Sequence, residues 1–167
     1  MTTPVDRIRV LETCAVYLRQ HAGADSRPDP EEQPPADIAA TLAAIRRHKY
    51  SADEPPLNLS RIRIPRANST GARLTGADLA HTELTAATLR GATLTTADLT
   101  NCILERADLT ATDLTRARLT GARLTETELT GAALTDADLR GADLRGSIGL
   151  TAEQLQRAHT DARTQLP

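Results

Sequence analysis

Residues 72–99 read ARLTGADLAHTELTAATLRGATLTTADL and carry a leucine at every fifth position. The series runs without interruption from Leu74 to Leu144, which makes fifteen leucines. Two residues before each leucine stands a small side chain, Ala at most positions and Thr or Cys at the other four. The register extends backwards, with more variation, through Ile62/Ile64 to Leu57/Leu59. A repeat of this regularity decides the fold before any other feature.

A period of five fits neither regular element. On an α-helix the leucines would spiral around all sides, and on a flat strand successive leucines would alternate faces. The small residue and the leucine of one unit are two apart, however, so both face the same side of an extended chain. If the chain bends once per unit, every such pair points at one axis. Four bends close a square coil of about 20 residues, and the coils stack at about 4.8 Å.

The residue types at the expected corners agree with this interpretation. The position two after each leucine is often glycine, and Asn101 and Asp136 take it elsewhere. These residues tolerate the left-handed backbone of tight turns. Of nine prolines only Pro65 lies within the repeats, as expected where a missing N–H would interrupt pairing between coils. The regularity of the first coil around Pro65 stays open.

The repeat resembles that of the bacterial pentapeptide-repeat proteins, whose unit is A-(D/N)-L-x-x. Ala77-Asp78-Leu79, Ala97-Asp98-Leu99 and Ala137-Asp138-Leu139 are among the units that match it. The resemblance implies an all-β solenoid, a right-handed quadrilateral β-helix of about 4–5 coils, with the leucines and small residues stacked inside.

The flanking segments predict helices. In residues 4–20 an apolar stripe is formed by Val5, Ile8, Leu11, Ala15 and Leu18. A proline-rich linker over 23–35 precedes a second helix around 36–48, with Ile38, Leu42 and Ile45 on one face. A capping box at Thr151–Gln154 opens a third helix of about 152–160.

We therefore expect a helical pair with its linker in 1–55, the repeat column in 56–149, and a C-terminal capping helix and tail in 150–167. Two roles stay open for the helices: lids over the ends of the column, whose edges must be covered, or docking elements for a partner or a second copy.

Composition excludes several classes of protein. The net charge of −2 argues against a basic nucleic-acid binder and a polybasic membrane anchor. No stretch predicts a signal peptide or a membrane span, so we expect a cytoplasmic protein. The two cysteines, Cys14 and Cys102, lie too far apart along the chain to suggest a disulfide framework, and we expect both to be small buried hydrophobes.

The sequence predicts no catalytic, cofactor-binding or metal-binding residue, and therefore no enzyme. The four histidines are scattered, without metal-ligand spacing, and His81 falls at an outward corner. The residue between the small side chain and the leucine, here called the outward slot, points to solvent. Its acids are expected to be solvated or paired with arginines across coils, as at Asp78, Asp98, Asp108, Asp138 and Asp143.

Some members of the resembled family protect type II topoisomerases by imitating duplex DNA, which requires ordered negative charge along one side. Residues 57–149 hold eleven acids and eleven arginines, and neither sign dominates a face. We therefore expect a non-enzymatic structural or protein-interaction module, with an unidentified protein as its partner. Neither nucleic acid nor membrane is expected to bind directly. A homodimer through a terminal helix or a column end stays open, and the alternative function is a DNA mimic that binds DNA gyrase and gives drug protection.

Overall fold

The structure is a computed structural model that describes residues 4–23, 29, 31–48 and 55–167, with side chains described from residue 12 onward. Helix α1 spans Pro4–His21, α2 spans Ala36–Arg47 and α3 spans Ala152–Arg157. Between α2 and α3 the chain winds into a column. No helix of the described residues is long and apolar enough to cross a membrane.

The column has four faces, because each outward slot pairs in parallel with the slot 20 residues further along the chain. We number the faces in chain order. Face 1 begins at Asn58, face 2 at Arg63, face 3 at Asn68 and face 4 at Arg73, and each continues in steps of 20. The predicted 20-residue coil is therefore confirmed. The first coil is regular through Pro65, since all four of its faces enter these ladders.

The pairing consists of single bridges, one per face and coil, and not of continuous strands. The all-β description made from the sequence is correct only in this coarse sense, and three helices flank the column. A side of five residues has room for one short extended segment before the next corner. The hydrogen bonds are nevertheless dense: the outward Asp78 N–H donates to Leu57 O at 3.0 Å, and the Leu79 N–H donates to Asp98 O at 2.7 Å.

Each corner residue has a left-handed backbone. Positive φ recurs at every fifth residue from Arg61 to Gly146, at the predicted glycines and at Asn101 and Asp136. Eleven of these eighteen corners are not glycine, and they include Thr96 with φ 59°. A β-branched residue is a rare occupant of this region, so the ladders on both sides of the corner must hold it there.

The interior of the column is a stack of leucines and small residues. Leu99, Leu109 and Leu119 are fully buried, and the space enclosed by the leucines of the last coils is too narrow for a water molecule. The three inward threonines lose no hydrogen bond. Each hydroxyl donates to a leucine carbonyl of the preceding coil, as Thr112 does to Leu89 O at 2.8 Å. The core is thus dry, closed and fully bonded at these positions.

Helices α1 and α2 cover the N-terminal end of the column. Leu18, Ile38, Leu42 and Ile45 are buried in one apolar cluster that continues into the leucines of the first coil. The Arg63 N–H donates to Ala22 O at 2.6 Å, so the chain after α1 bonds directly to the first coil. The geometry is that of a lid. The predicted stripe residues Val5, Ile8 and Leu11 have side chains outside the described part, as do linker residues 24–28 and 30.

The C-terminal segment returns to the column after a single short helix. Thr151 and Gln154 form the predicted capping box, but α3 ends at Arg157, so the predicted extent of 152–160 is wrong at its C-terminal end. The helix stops because the following chain is extended and pairs with the last coil. The Leu139 N–H donates to His159 O at 2.8 Å, and the Leu144 N–H donates to Gln165 O at 2.7 Å. The tail thereby closes the edges of faces 1 and 2.

Candidate functional site

The surface available for function is the set of outward slots, whose positions the backbone ladders fix. Where a slot holds Asp or Asn, the side chain accepts a hydrogen bond from the backbone N–H two residues later. The Thr100 N–H, for example, donates to the Asp98 carboxylate at 3.0 Å, and the same bond recurs at Asp78, Asp108, Asp113, Asp138 and Asp143.

This bond explains the preference for Asp in the slot. Within a unit, the other backbone N–H groups donate to carbonyls of the turn or of neighbouring coils, which leaves the one after the leucine unpaired. The carboxylate satisfies it. From the sequence we predicted only solvation or ion pairing for these acids, and this role was missed. The spacing Asp-Leu-Thr is the signal of a side-chain turn that would have indicated it.

The predicted ion pairing of acids with arginine also occurs, mostly between adjacent coils. Arg63 Nε lies 2.7 Å from Glu83 Oε2, and Arg106 Nε lies 3.2 Å from Glu126 Oε2. Eight of the eleven acids in residues 57–149 have an arginine within ion-pair distance: Glu83, Asp98, Glu105, Asp108, Glu126, Asp136, Asp138 and Asp143. The negative charge of the column is therefore locally neutralised.

Arginines two residues after an acid hold some of these carboxylates in the charged form. Arg140 lowers the pKa of Asp138 by a side-chain hydrogen bond at 2.6 Å, and Arg145 lowers the pKa of Asp143 in the same way at 2.7 Å. Partial burial opposes both shifts without reversing them. Both carboxylates are ionised and bonded near neutral pH, as expected of groups that support the fold.

The four histidines lie in different elements of the structure. His81 is an exposed corner, as predicted, while His159 pairs with the last coil and His21 stacks on Tyr17 with ring centroids 4.0 Å apart. Within the described part of the chain, no three His, Cys, Asp or Glu side chains are grouped so as to hold a metal ion. Cys102 is fully buried, and this burial raises the pKa of its thiol, which makes it unreactive. Cys14 is only partly buried, so the prediction of two buried cysteines holds for Cys102.

Two isoleucines occupy outward slots of the column. Ile148 ends the row of face 3 and is 60% exposed, whereas Ile103 is half-buried in the middle of the row of face 2. A shallow groove of about 470 Å³ lies beside Ile103, and its lining includes Glu105, Arg106 and Glu126. Ile103 was not among the residues predicted to matter, although its contrast with the acids in equivalent slots is visible in the sequence.

Comparison with known proteins identifies the repeat. The family model described as pentapeptide repeats matches residues 58–91, 67–106, 77–116 and 112–148, which together cover more than half of the chain. No curated protein sequence matches the chain.

Solved structures agree. The pentapeptide repeat protein Rfr23 from the cyanobacterium Cyanothece 51142 is 34% identical over 57% of this chain and 65% of its own, with a TM-score of 0.50. The chain thus spans just under two thirds of that protein. The pentapeptide repeat protein alr5209 from Nostoc PCC 7120 is 27% identical over 80% of this chain and 100% of its own, with a TM-score of 0.56. QnrB1, a plasmid-mediated fluoroquinolone resistance protein, reaches 17% identity over 64% of each chain and a TM-score of 0.37, which supports no inference about function.

Proposed function

Because the chain belongs to the pentapeptide-repeat family, whose repeats imply a right-handed quadrilateral β-helix, we propose that it is a non-enzymatic interaction module whose column presents side chains to another protein. The ladders support this proposal, since they hold each outward slot in place whatever residue occupies it. Asp, Glu, Arg, Thr, Ile and Ala all occupy slots with the same backbone pairing. Such a surface can vary in chemistry without a change of fold.

The neutralised charge of the column carries the proposal. Eight of its eleven acids are paired with arginine, so the outer surface mixes both signs at short range. Protein interfaces tolerate such a mixed polar surface, especially around a partly buried apolar residue. A nucleic-acid binder needs a cationic surface instead, and a DNA mimic needs an extended anionic one. We also propose that the protein works in the cytoplasm without binding a membrane.

A face-by-face variant set tests this function. Four double variants replace the outward residues of the second and third coils by alanine: Asp78 and Asp98 on face 1, Glu83 and Ile103 on face 2, Thr88 and Asp108 on face 3, Thr93 and Asp113 on face 4. Alanine is already present in this slot at Ala133, so we expect the four variants to fold, with a lower stability on faces 1, 3 and 4, where an Asp that accepts a backbone N–H is removed. Thermal unfolding by circular dichroism checks that they do.

A protein captured by chemical cross-linking to the wild type is then measured for binding to each variant. We expect binding to be lost with one or two adjacent faces and kept with the others. Equal binding to all four variants would show that the outward slots do not recognise the partner, and would overturn the proposal.

A supercoiling assay with DNA gyrase, with and without a fluoroquinolone, tests the alternative of DNA mimicry. We expect no effect of the protein on supercoiling or on drug inhibition, because the column has no continuous anionic face. Inhibition of gyrase, or rescue from the drug, at low micromolar protein would instead establish a topoisomerase-directed function.

A further inference from the structure

Face 2 carries an antisymmetric pattern of charge. From the first coil to the last, its outward slots hold Arg63, Glu83, Ile103, Arg123 and Asp143. Ile103 is the centre of this row. Glu83 and Arg123 lie one coil away on either side of it, and Arg63 and Asp143 lie two coils away, so that each charge has its opposite at the same distance.

We propose that face 2 binds face 2 of a second copy of this chain, side by side and antiparallel, about a two-fold axis through Ile103. The rotation places Glu83 of one copy opposite Arg123 of the other, and Arg63 opposite Asp143. Ile103 meets its own counterpart at the axis. An isologous contact requires a patch that is complementary to itself, and the row of outward slots on face 2 satisfies the requirement at all five positions.

The two edges of face 2 differ in relief. The groove beside Ile103 lies towards the corner that carries Arg106 and Glu126. The opposite edge of face 2 is the corner row of Arg61, His81 and Asn101, which projects from the column as exposed residues. The antiparallel rotation keeps each edge opposite the same edge of the second copy, so groove faces groove and corner row faces corner row. Glu105, which lines the groove beside Ile103, also meets its counterpart near the axis, each carboxylate being paired with Arg123 of its own chain.

The charges of face 2 are already held in position. Arg63 bonds Glu83, Arg123 bonds Glu105 and Arg145 bonds Asp143, yet more than half of the Arg123 side chain is exposed. Side chains ordered before association lose less entropy on binding. Ile103, half-buried and ringed by charged pairs, has the setting of a central interface residue.

No other face is complementary to itself in this way. On face 1 an axis through Asp98 sets that carboxylate against itself. The outward slots of face 3 hold Asp108 and Glu128 without a cation, and face 4 would place Arg73 opposite Ala133. The row of face 2 is about 20 Å long at the spacing of stacked coils. Such a contact is smaller than the roughly 800 Å² per partner of a stable dimer, so we expect reversible association in the range of tens to hundreds of micromolar.

Sedimentation equilibrium of the full chain between about 5 and about 500 µM measures this association. We expect a monomer–dimer equilibrium that weakens as salt is raised. Ile103→Asp, which places two carboxylates at the axis, is expected to weaken the dimer by about tenfold or more. The fold accepts Asp in this slot, as Asp98 and Asp108 show. Thr93→Asp introduces the same charge on face 4 and should leave the dimer unchanged.

A charge exchange gives the decisive test. Glu83→Arg and Arg123→Glu should each abolish self-association, because each single variant places like charges opposite each other twice. An equimolar mixture of the two should dimerise again, since every Arg of one chain then faces a Glu of the other. Restored association in the mixture also shows that both variants are folded.

Three results would overturn the inference: a monomer throughout the concentration range, a dimer that survives Ile103→Asp, or a charge-exchanged mixture that stays monomeric. A surviving dimer would assign association to a terminal helix or to a column end.

Discussion

Replacing Leu119 by alanine tests how rigid the interior of the column is. The side chain is fully buried, and it lies between Leu99 and Leu139, which are also buried, in the adjacent coils. Removing three buried carbons costs about 2.4 kcal/mol in transfer free energy. The cavity left behind adds to this cost unless the surroundings collapse. Collapse is opposed here by the backbone ladders above and below, such as the Leu119 N–H to Asp138 O bond at 2.8 Å. We therefore expect a loss of about 4 kcal/mol in the free energy of unfolding, near the upper part of the range for such substitutions.

Urea denaturation followed by circular dichroism measures this loss, with Leu144→Ala as the matched control. Leu144 is buried in the last full coil, where the layer beyond it contains only the returning tail and the half-exposed Leu166. The end of the column can relax, so we expect about 2.5 kcal/mol for Leu144→Ala. Equal losses for the two variants, or a loss below about 2 kcal/mol at Leu119, would refute the view that the ladders keep the cavity open.

Three further predictions concern the exit of the chain, the acids and the lid. Gly149→Ala should detach the tail, because a Cβ there would overlap Thr130 Oγ1 and lie 2.7 Å from the Thr130 backbone. Gly91→Ala, where the added Cβ meets nothing within 4 Å, should lower the free energy of unfolding by only about 1 kcal/mol. Limited proteolysis of the C-terminus distinguishes the two variants, and equal resistance would contradict the steric explanation. Because the pKa values of Asp138 and Asp143 are lowered in the folded protein, the unfolded chain takes up protons first as the pH falls. The melting temperature should therefore be constant above about pH 5 and fall below about pH 4. A melting temperature at pH 3 equal to that at pH 7 would be inconsistent with these shifts. Leu18→Asp should open the lid and expose the first coil to hydrogen exchange while the later coils stay protected, because each coil contacts only its neighbours; uniform loss of protection would show instead that the column unfolds as one unit.

Much of the fold could be predicted because the repeat is local chemistry applied many times. The spacing of the leucines sets the length of a coil side, and the small residues and corner glycines say which way each unit bends. The 20-residue register also needs four bends per coil, which the resemblance to pentapeptide repeats implies and the bridges at offsets of 20 confirm. The role of the outward acids was predicted only in part. Their pairing with arginine was expected, but the hydrogen bond to the backbone N–H two residues later was not, although its spacing is equally regular.

The end of the C-terminal helix could not be placed from its sequence. Residues 152–160 have helical composition, and a capping box starts them correctly at Thr151. The helix ends at Arg157 because His159 gains two hydrogen bonds with the last coil, from the Leu139 N–H and to Ala137 O. Pairing with an open edge outweighs helix propensity, which is a weak preference over so short a segment.

The five-residue period of the column and its inward side chains follow from the amino-acid sequence alone, because those properties depend only on residues within one unit. Which charges meet depends on the tertiary structure. Arg123 pairs with Glu105 and not with Glu83, and the tail joins the last coil at offsets of 21 and 22 residues in place of 20. The ion pairs depend on the rotamers of long side chains, and the offsets of the tail depend on the extra residues of the segment that contains α3. Neither can be deduced from the five-residue repeat. The outward surface, on which any partner must act, is therefore specified by the packing of the coils more than by the period that builds them.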